Sequence, residues 1–193
     1  LFKDGAFEVQ DEGSQIAAWL LGVKPGQTVV DYCAGGGGKT LALGQGLGGR
    51  GRLVACDLNP RRLDAIRPRL QRAGVAAELR RVGPTGDPLT DLEAKADRVL
   101  VDAPCSGSGV WRRRPEEGWR LTPEELKRLH ALQIDILGRA SALVRPGGRL
   151  AYVTCSVLPA ENGDVAQSFA AKHADFRPFP IAKAAKTEFL TDA

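Results

Sequence analysis

The chain reads as an α/β protein built on a doubly wound, mostly parallel sheet. Three features predict that class. Short apolar, β-branched runs alternate with stretches of helical apolar spacing, the pattern of successive β-α-β units. A run of glycines, Gly35 to Gly38, follows the first apolar run directly, where such folds turn from strand into helix. At 193 residues, 43% hydrophobic and 26% charged, the chain is large enough for one domain with a substantial core and has the balance of an ordinary globular protein.

Val29 to Tyr32 is the first predicted strand and Leu53 to Cys56 the second. Asn59-Pro60 then supplies an N-cap and a first-turn proline; Leu63, Ile66 and Leu70 share one helical face until Gly74 stops the helix. Glu78 to Val82 is a third, less apolar strand, and Arg98 to Val101 a fourth that runs into Asp102-Ala103-Pro104-Cys105. Thr122-Pro123-Glu124-Glu125 has the form of a capping box, and Leu126, Leu129, Leu132, Ile136, Leu137, Ala140 and Val144 continue as an apolar stripe. Pro146-Gly147-Gly148 is expected to end that helix, before a fifth strand at Leu150 to Val153 and a last helix from about Ala160 to Lys172. A sixth strand is expected after Phe176. The chain shows no internal repeat or low-complexity tract, and the whole of 1–193 is expected to be one catalytic domain. The absence of Met, even at position 1, and the abrupt end at Thr191-Asp192-Ala193 lead to the expectation that it is a piece of a longer protein.

The formal net charge is +4, and Arg outnumbers Lys. Guanidinium groups make forked phosphate contacts and stack on bases, so this balance fits either a nucleic-acid partner or a solvated basic surface. No apolar stretch approaches a bilayer span and the opening LFKDGAFEVQ has no signal-peptide pattern, so a cytoplasmic protein without a membrane partner is expected. The four cysteines, Cys33, Cys56, Cys105 and Cys155, are dispersed without a C-x-x-C pair. That spacing suits reduced thiols better than a disulfide framework or a zinc site, and no metal is expected.

The segment Cys33-Ala34-Gly35-Gly36-Gly37-Gly38-Lys39-Thr40 ends like a phosphate-binding loop, but Cys33 stands where that pattern requires glycine. The dinucleotide pattern G-x-G-x-x-G fails as well, at Thr40 counted from Gly35 and at Leu41 counted from Gly36. What survives is a turn that lets a ligand approach bare backbone amides. Asp57 ends the second strand about 20 residues later, where an acid commonly holds ribose hydroxyls, or else caps the turn into Asn59-Pro60. Cys105 and Cys155 each follow a strand directly, and ligands in such sheets bind beyond the carboxyl ends of the strands. The two thiols are therefore expected to share one pocket, as covalent chemistry would require, rather than to be buried filler. Trp111-Arg112-Arg113-Arg114 and Trp119-Arg120 offer a surface for splayed RNA bases, or tryptophans that seal the core with the arginines in water. Cys56 reads as packing, and neither His130 nor His173 has a partner that suggests catalysis.

Gln10-Asp11-Glu12-Gly13-Ser14-Gln15, DYCAGGGGKT, VDAPCSGSGVWRRRP and VTCSVLPAEN, in that order, resemble the motifs of the Fmu/Sun-type RNA cytosine carbon-5 methyltransferases, nearest the bacterial ribosomal small-subunit methyltransferase B group. The resemblance runs from about Phe7 to Phe176 and implies a Rossmann-like sheet of the S-adenosylmethionine-dependent methyltransferase type. It implies S-adenosylmethionine on Cys33, Ala34, Gly35, Gly36, Gly37, Gly38 and Lys39, on Asp57, on the basic Arg62, and beside Asp102. The implied substrate is a cytosine in ribosomal small-subunit RNA, with methylation of transfer RNA, a non-catalytic RNA-binding module and a P-loop nucleotidase as alternatives. The implied mechanism adds a thiolate to cytosine carbon 6, with Asp102 on the cytosine edge and Lys39 as a source of positive charge. Pro104-Cys105 is similar to the nucleophile dipeptide of DNA cytosine methyltransferases, whereas the RNA family attacks with the cysteine of Thr154-Cys155-Ser156 and uses the other to assist release. The chain departs from the family pattern at Gly35-Gly36, where Ala-Pro or a similar pair is usual, and near Gly83, where an acid is missing unless Asp87 substitutes. An N-terminal RNA-binding domain and the C-terminal strand or strands are expected to lie outside the sequence.

Overall fold

A computed structural model describes residues 1–83 and 89–181. Its five described strands are β1 (Thr28–Asp31), β2 (Arg52–Asp57), β3 (Glu78–Arg81), β4 (Ala96–Asp102) and β5 (Val144–Val153). They form one sheet in the order β3-β2-β1-β4-β5, and every pairing is parallel. The order reverses between β1 and β4, which opens a crevice beyond their carboxyl ends. This is the doubly wound, Rossmann-like sheet.

Both sheet faces are covered because neighbouring residues on the inner strands are apolar in both directions. Val30, Val54, Val99 and Val101 face one layer, shared with Ile136, Leu137 and Ala140 of α5 (Pro123–Ser141) and with Val165 and Phe169 of α6 (Gly163–Lys172). Val29, Leu53 and Leu100 point the other way, against Ala18 of α1 (Glu12–Leu20) and Leu43 and Leu47 of α2 (Gly38–Leu47). On that second side Ala55 also meets Leu63, Ile66 and Leu70 of α3 (Pro60–Ala73). Asn59 accepts a hydrogen bond from the amide of Arg61 at 3.0 Å, and Gly74 closes α3 at φ 65°, the two ends that the sequence marks. Thr122 likewise caps α5 by accepting from the amide of Glu125 at 3.2 Å.

Several elements differ from the sequence reading. α5 stops at Ser141, so Pro146-Gly147-Gly148 is no helix terminator. Those residues form an irregularity within β5, where the register with β4 jumps from Ala96 opposite Val144 to Arg98 opposite Arg149. β5 is an edge strand of the described sheet, and an edge tolerates a proline that an inner strand excludes. The last helix begins at Gly163, after a single 3-10 turn over Pro159–Glu161. A short α4 (Pro115–Arg120) carries Trp119, and residues 177–181 add no strand. Asp87, the candidate substitute for the acid near Gly83, lies outside the described residues, as does the part of the anticipated sixth strand beyond 181. Among the described residues no helix is long and apolar enough to cross a membrane.

Candidate active site

The parallel sheet sends β1, β2, β4 and β5 to the same edge, and the site is built from the loops that leave their four tips. After β1 the chain turns through Gly35 (φ 54°) and Gly37 (φ 81°), conformations that side-chain-bearing residues seldom adopt. Asp57, at the tip of β2, clamps this turn: its Oδ2 accepts from the Gly35 amide at 2.9 Å and its Oδ1 from the Asn59 amide at 2.8 Å. Gly37 lies behind the turn, since a Cβ there would come within 2.8 Å of the Ile66 side chain. It therefore shapes the loop without lining the cleft.

Beyond β4 and β5 the two thiols meet. Cys105 Sγ lies 3.2 Å from Cys155 Sγ, with Cys155 exposed and Cys105 partly so. Their loops are clasped together. The Gly109 amide donates to the Cys155 carbonyl at 2.9 Å, the Ser108 and Ser156 hydroxyls lie 2.8 Å apart, and the Val157 amide donates to Ser108 Oγ at 2.9 Å. Beneath them Glu161 is fully buried and accepts from the Ser106 amide (2.9 Å), the Ser106 hydroxyl and Gln133 Nε2 (3.0 Å). Gln133, also fully buried, donates in addition to the Pro104 carbonyl at 3.0 Å, so the residues on both sides of Cys105 are tied to one core network. Asn162 holds the partner loop by donating to the Ser156 and Leu158 carbonyls at 2.9 and 3.1 Å.

These pieces enclose one cleft of about 1580 Å³, lined among others by Cys33, Ala34, Gly35, Gly36, Gly38, Lys39, Asp57, Arg62, Asp102, Cys105 and Cys155. Lys39 Nζ pairs with Asp102 Oδ2 at 2.6 Å and reaches Ser14 Oγ at 3.3 Å. Its charge is thus directed at Asp102, and the largest influence favouring a Cys155 thiolate is the hydrogen bond it shares with the Cys105 thiol. That bond outweighs burial and brings Cys155 down from 9.0 to about 7, while the same contact and burial push Cys105 up. Asp31 is fully buried at the end of β1, where burial raises its carboxyl to about 7 against the opposing hydrogen bond from Thr40, 2.7 Å long. Burial likewise pushes the Cys33 thiol up to about 12, so Cys33 lines the cleft as an uncharged wall. Burial favours a protonated Glu161, but the donors from Ser106 and Gln133 prevail and hold its carboxyl below 4.5.

The two tryptophans divide the roles that their sequence left open. Trp111 Nε1 donates to the Ser106 carbonyl at 3.3 Å and its ring packs on Gly118, whereas Trp119 is 84% exposed. Arg112, Arg113 and Arg114 line the cleft rim, with Arg113 3.8 Å from Asp11 and Arg114 3.1 Å from Glu117. Sequence reasoning missed Asp31, Gln133 and Glu161. Gln133 alone carried a signal, as a polar residue set in the apolar stripe of α5 between Leu129 and Ile136. Among the described residues no group of three or more His, Cys, Asp or Glu side chains is arranged to hold a metal ion.

A family model described as 16S rRNA methyltransferase RsmB/F matches residues 18–190. A probable ribosomal RNA small subunit methyltransferase B of Bacillus subtilis is 34% identical over 183 residues, covering 92% of this chain and 40% of the relative. The putative methyltransferase Rv1407 of Mycobacterium tuberculosis is 46% identical over 165 residues, covering 83% of this chain and 35% of the relative. The chain thus spans less than half the length of these curated relatives. The crystal structure of NSun6 from Pyrococcus horikoshii with SFG superposes with a TM-score of 0.77 at 31% identity, over 89% of this chain and 44% of that one. With a family match across most of its length and a sheet, glycine turn and thiol pair arranged as its motifs imply, the chain belongs to the RsmB/F methyltransferase family.

Proposed function

We propose that the chain is the catalytic domain of an S-adenosylmethionine-dependent enzyme that methylates carbon 5 of a cytosine in 16S ribosomal RNA, working in the cytoplasm through a covalent cysteine adduct. The observation that carries this reading is the 3.2 Å approach of Cys105 and Cys155 in the cleft that the glycine turn also lines. Membership of the RsmB/F family and the names of the relatives support the RNA substrate.

The residues at the strand tips fit this cofactor. Three carboxylates, Asp31, Asp57 and Asp102, line the cleft beside the bare glycine turn, and Asp31 Oδ1 is buried without a hydrogen-bond partner. Acids set against the turn itself disfavour a phosphate chain there and suit a sulfonium nucleoside with an ammonium group and ribose hydroxyls. Asp57, whose oxygens each accept one amide and keep a further lone pair, would hold hydroxyls; the turn from Cys33 to Lys39 and Arg62 would flank the nucleoside. When bound, S-adenosylmethionine supplies an electrophilic methyl group.

Cytosine carbon 5 is too weak a nucleophile to take that group unaided. Cys155, the exposed member of the pair and the one whose thiolate is favoured near neutrality, adds to carbon 6 and moves the electron pair to carbon 5. Asp102, held in the cleft by Lys39, accepts from the cytosine edge, whose ring nitrogen takes a proton from water as the adduct forms and returns it when the adduct breaks down. After methylation, water takes the carbon-5 proton, the electron pair returns to the ring and the Cys155 sulfur is expelled as thiolate. Cys105 stands beside that sulfur throughout and assists its departure. The cleft-rim arginines would hold phosphates next to a flipped-out base, and the exposed Trp119 ring offers a face on which a further base can stack.

The test is methyl transfer to a cytosine-bearing 16S RNA fragment. Cys155→Ala is expected to abolish it, and Cys105→Ala to accumulate a protein–RNA adduct that survives denaturing electrophoresis. An adduct that persists in Cys155→Ala would overturn the assignment.

A further inference from the structure

The pair of thiols that serves the proposed reaction is also built to oxidise. We propose that Cys105 and Cys155 are a modification site at which peroxide forms a reversible intramolecular disulfide. The sulfurs, 3.2 Å apart, need to approach by only about 1.2 Å to reach bonding distance. Both sit in loops just past their strands, so side-chain rotation can supply this movement without disturbing the sheet. The backbone clasp from Gly109 to the Cys155 carbonyl and the Ser108–Ser156 contact keep the two loops together while it happens.

Access and reactivity favour one order of events. Cys155 is exposed and is the easier of the two to ionise, its thiolate being stabilised by the Cys105 thiol. The other two cysteines are protected: Cys56 is fully buried, and burial holds Cys33 protonated. The Cys155 thiolate attacks a peroxide oxygen, breaking the O–O bond and becoming a sulfenic acid, while the departing hydroxide takes a proton to leave as water. The Cys105 thiol then attacks the sulfenic sulfur, forming the S–S bond, and the expelled hydroxide takes the Cys105 proton as a second water. Hydrogen peroxide is the two-electron oxidant; both thiols are oxidised. A neighbouring thiol that resolves the sulfenic acid at once also guards Cys155 against irreversible over-oxidation. That the disulfide stops methyl transfer rests on the reading of Cys155 as nucleophile, but its formation does not.

Trypsin separates the four cysteines, since Cys105 falls in the peptide 99–112 and Cys155 in 150–172. The folded chain is treated with a slight excess of hydrogen peroxide, alkylated and digested. The expected product is 99–112 linked to 150–172, two hydrogens lighter than the sum of the free peptides and lost on treatment with dithiothreitol. In Cys105→Ser, dimedone is expected to tag Cys155. Recovery of both peptides alkylated, or of sulfinic acid at Cys155 with Cys105 unmodified, would overturn the proposal, as would absence of the dimedone tag in Cys105→Ser. A linked peptide in the wild type together with no RNA adduct in Cys105→Ala would instead count against the proposed function alone.

Discussion

Replacing Glu161 should show how strongly the core network places the thiols. Its carboxylate is fully buried and receives three donors: the Ser106 amide, the Ser106 hydroxyl and Gln133 Nε2. Glu161→Ala strands all three, and a buried donor left unpaired costs about 1–3 kcal/mol. The Ser106 groups lie close enough to the cleft to recruit water and Gln133 keeps the Pro104 carbonyl, so a total of about 3 kcal/mol is expected. Glu161→Gln can leave its oxygen toward the Ser106 amide and Gln133 and turn its NH2 toward the Ser106 hydroxyl, losing only charge assistance, about 1 kcal/mol. Because the folded carboxyl sits below 4.5, this stabilisation is present above that pH and disappears as pH falls through the lower folded value. Urea melts at pH 7 should therefore order wild type, Glu161→Gln and Glu161→Ala, with the gap between wild type and Glu161→Gln closing in acid. The thiol reports on position independently. If the Ser106 loop relaxes and Cys105 drifts from Cys155, the latter returns from about 7 toward 9.0, and alkylation of Cys155 at pH 7 should slow about tenfold or more in Glu161→Ala. Equal melts for the Ala and Gln variants, or an unchanged alkylation rate in the Ala variant, would refute the argument.

Gly109→Ala places a Cβ 2.7 Å from the Cys155 carbonyl oxygen, so the clasp between the two loops must open. Adduct formation with RNA should fall at least tenfold while the melting midpoint of the sheet changes little, as activity and circular dichroism on one preparation will show. Asp31→Asn keeps an acceptor for Thr40 but removes a buried carboxyl whose folded value, about 7, lies above its ordinary 3.8. In the wild type, stability is full below 3.8 and declines as pH rises through 7; the variant should lack that decline and gain up to about 4 kcal/mol at pH 8. Melts from pH 4 to 8 that fall in parallel for both proteins would contradict it. Trp119→Ala removes an exposed ring and is expected to weaken binding of a single-stranded RNA by about 1–3 kcal/mol in a titration, with no change in the free protein's stability.

Much of the site was legible because its chemistry is local to strand ends. A parallel, doubly wound sheet brings those ends to one edge, so Asp57, Asp102, Cys105 and Cys155 needed only to be recognised as strand-terminal to be placed together. The side chains that hold them there were less visible. Glu161 looks like an ordinary acid at a helix start; its burial depends on Gln133, 28 positions away, and on the Ser106 loop, 55 away. Such pairings are set by how α5 and the loop after β5 pack, and no spacing rule reports them. The Pro146-Gly147-Gly148 segment misled for a related reason, since the residues that stop a helix also make a kink tolerable in an edge strand, and only the sheet order tells which occurs.

The near-match to a phosphate loop resolves along the same lines. Lys39 and Thr40 stand where such a loop needs them, but each is drawn to a carboxylate at a strand tip: Lys39 to Asp102 and Thr40 to Asp31. A cation paired at 2.6 Å offers little to an incoming phosphate, and the Asp57 carboxylate clamped to the same turn adds repulsion. The glycines still free the backbone for close approach, so the turn stays open while both side chains that would complete a phosphate loop are drawn to carboxylates. The Gly-Lys-Thr pattern is legible in the sequence, whereas the direction in which Lys39 and Thr40 turn is set by the strand tips they meet.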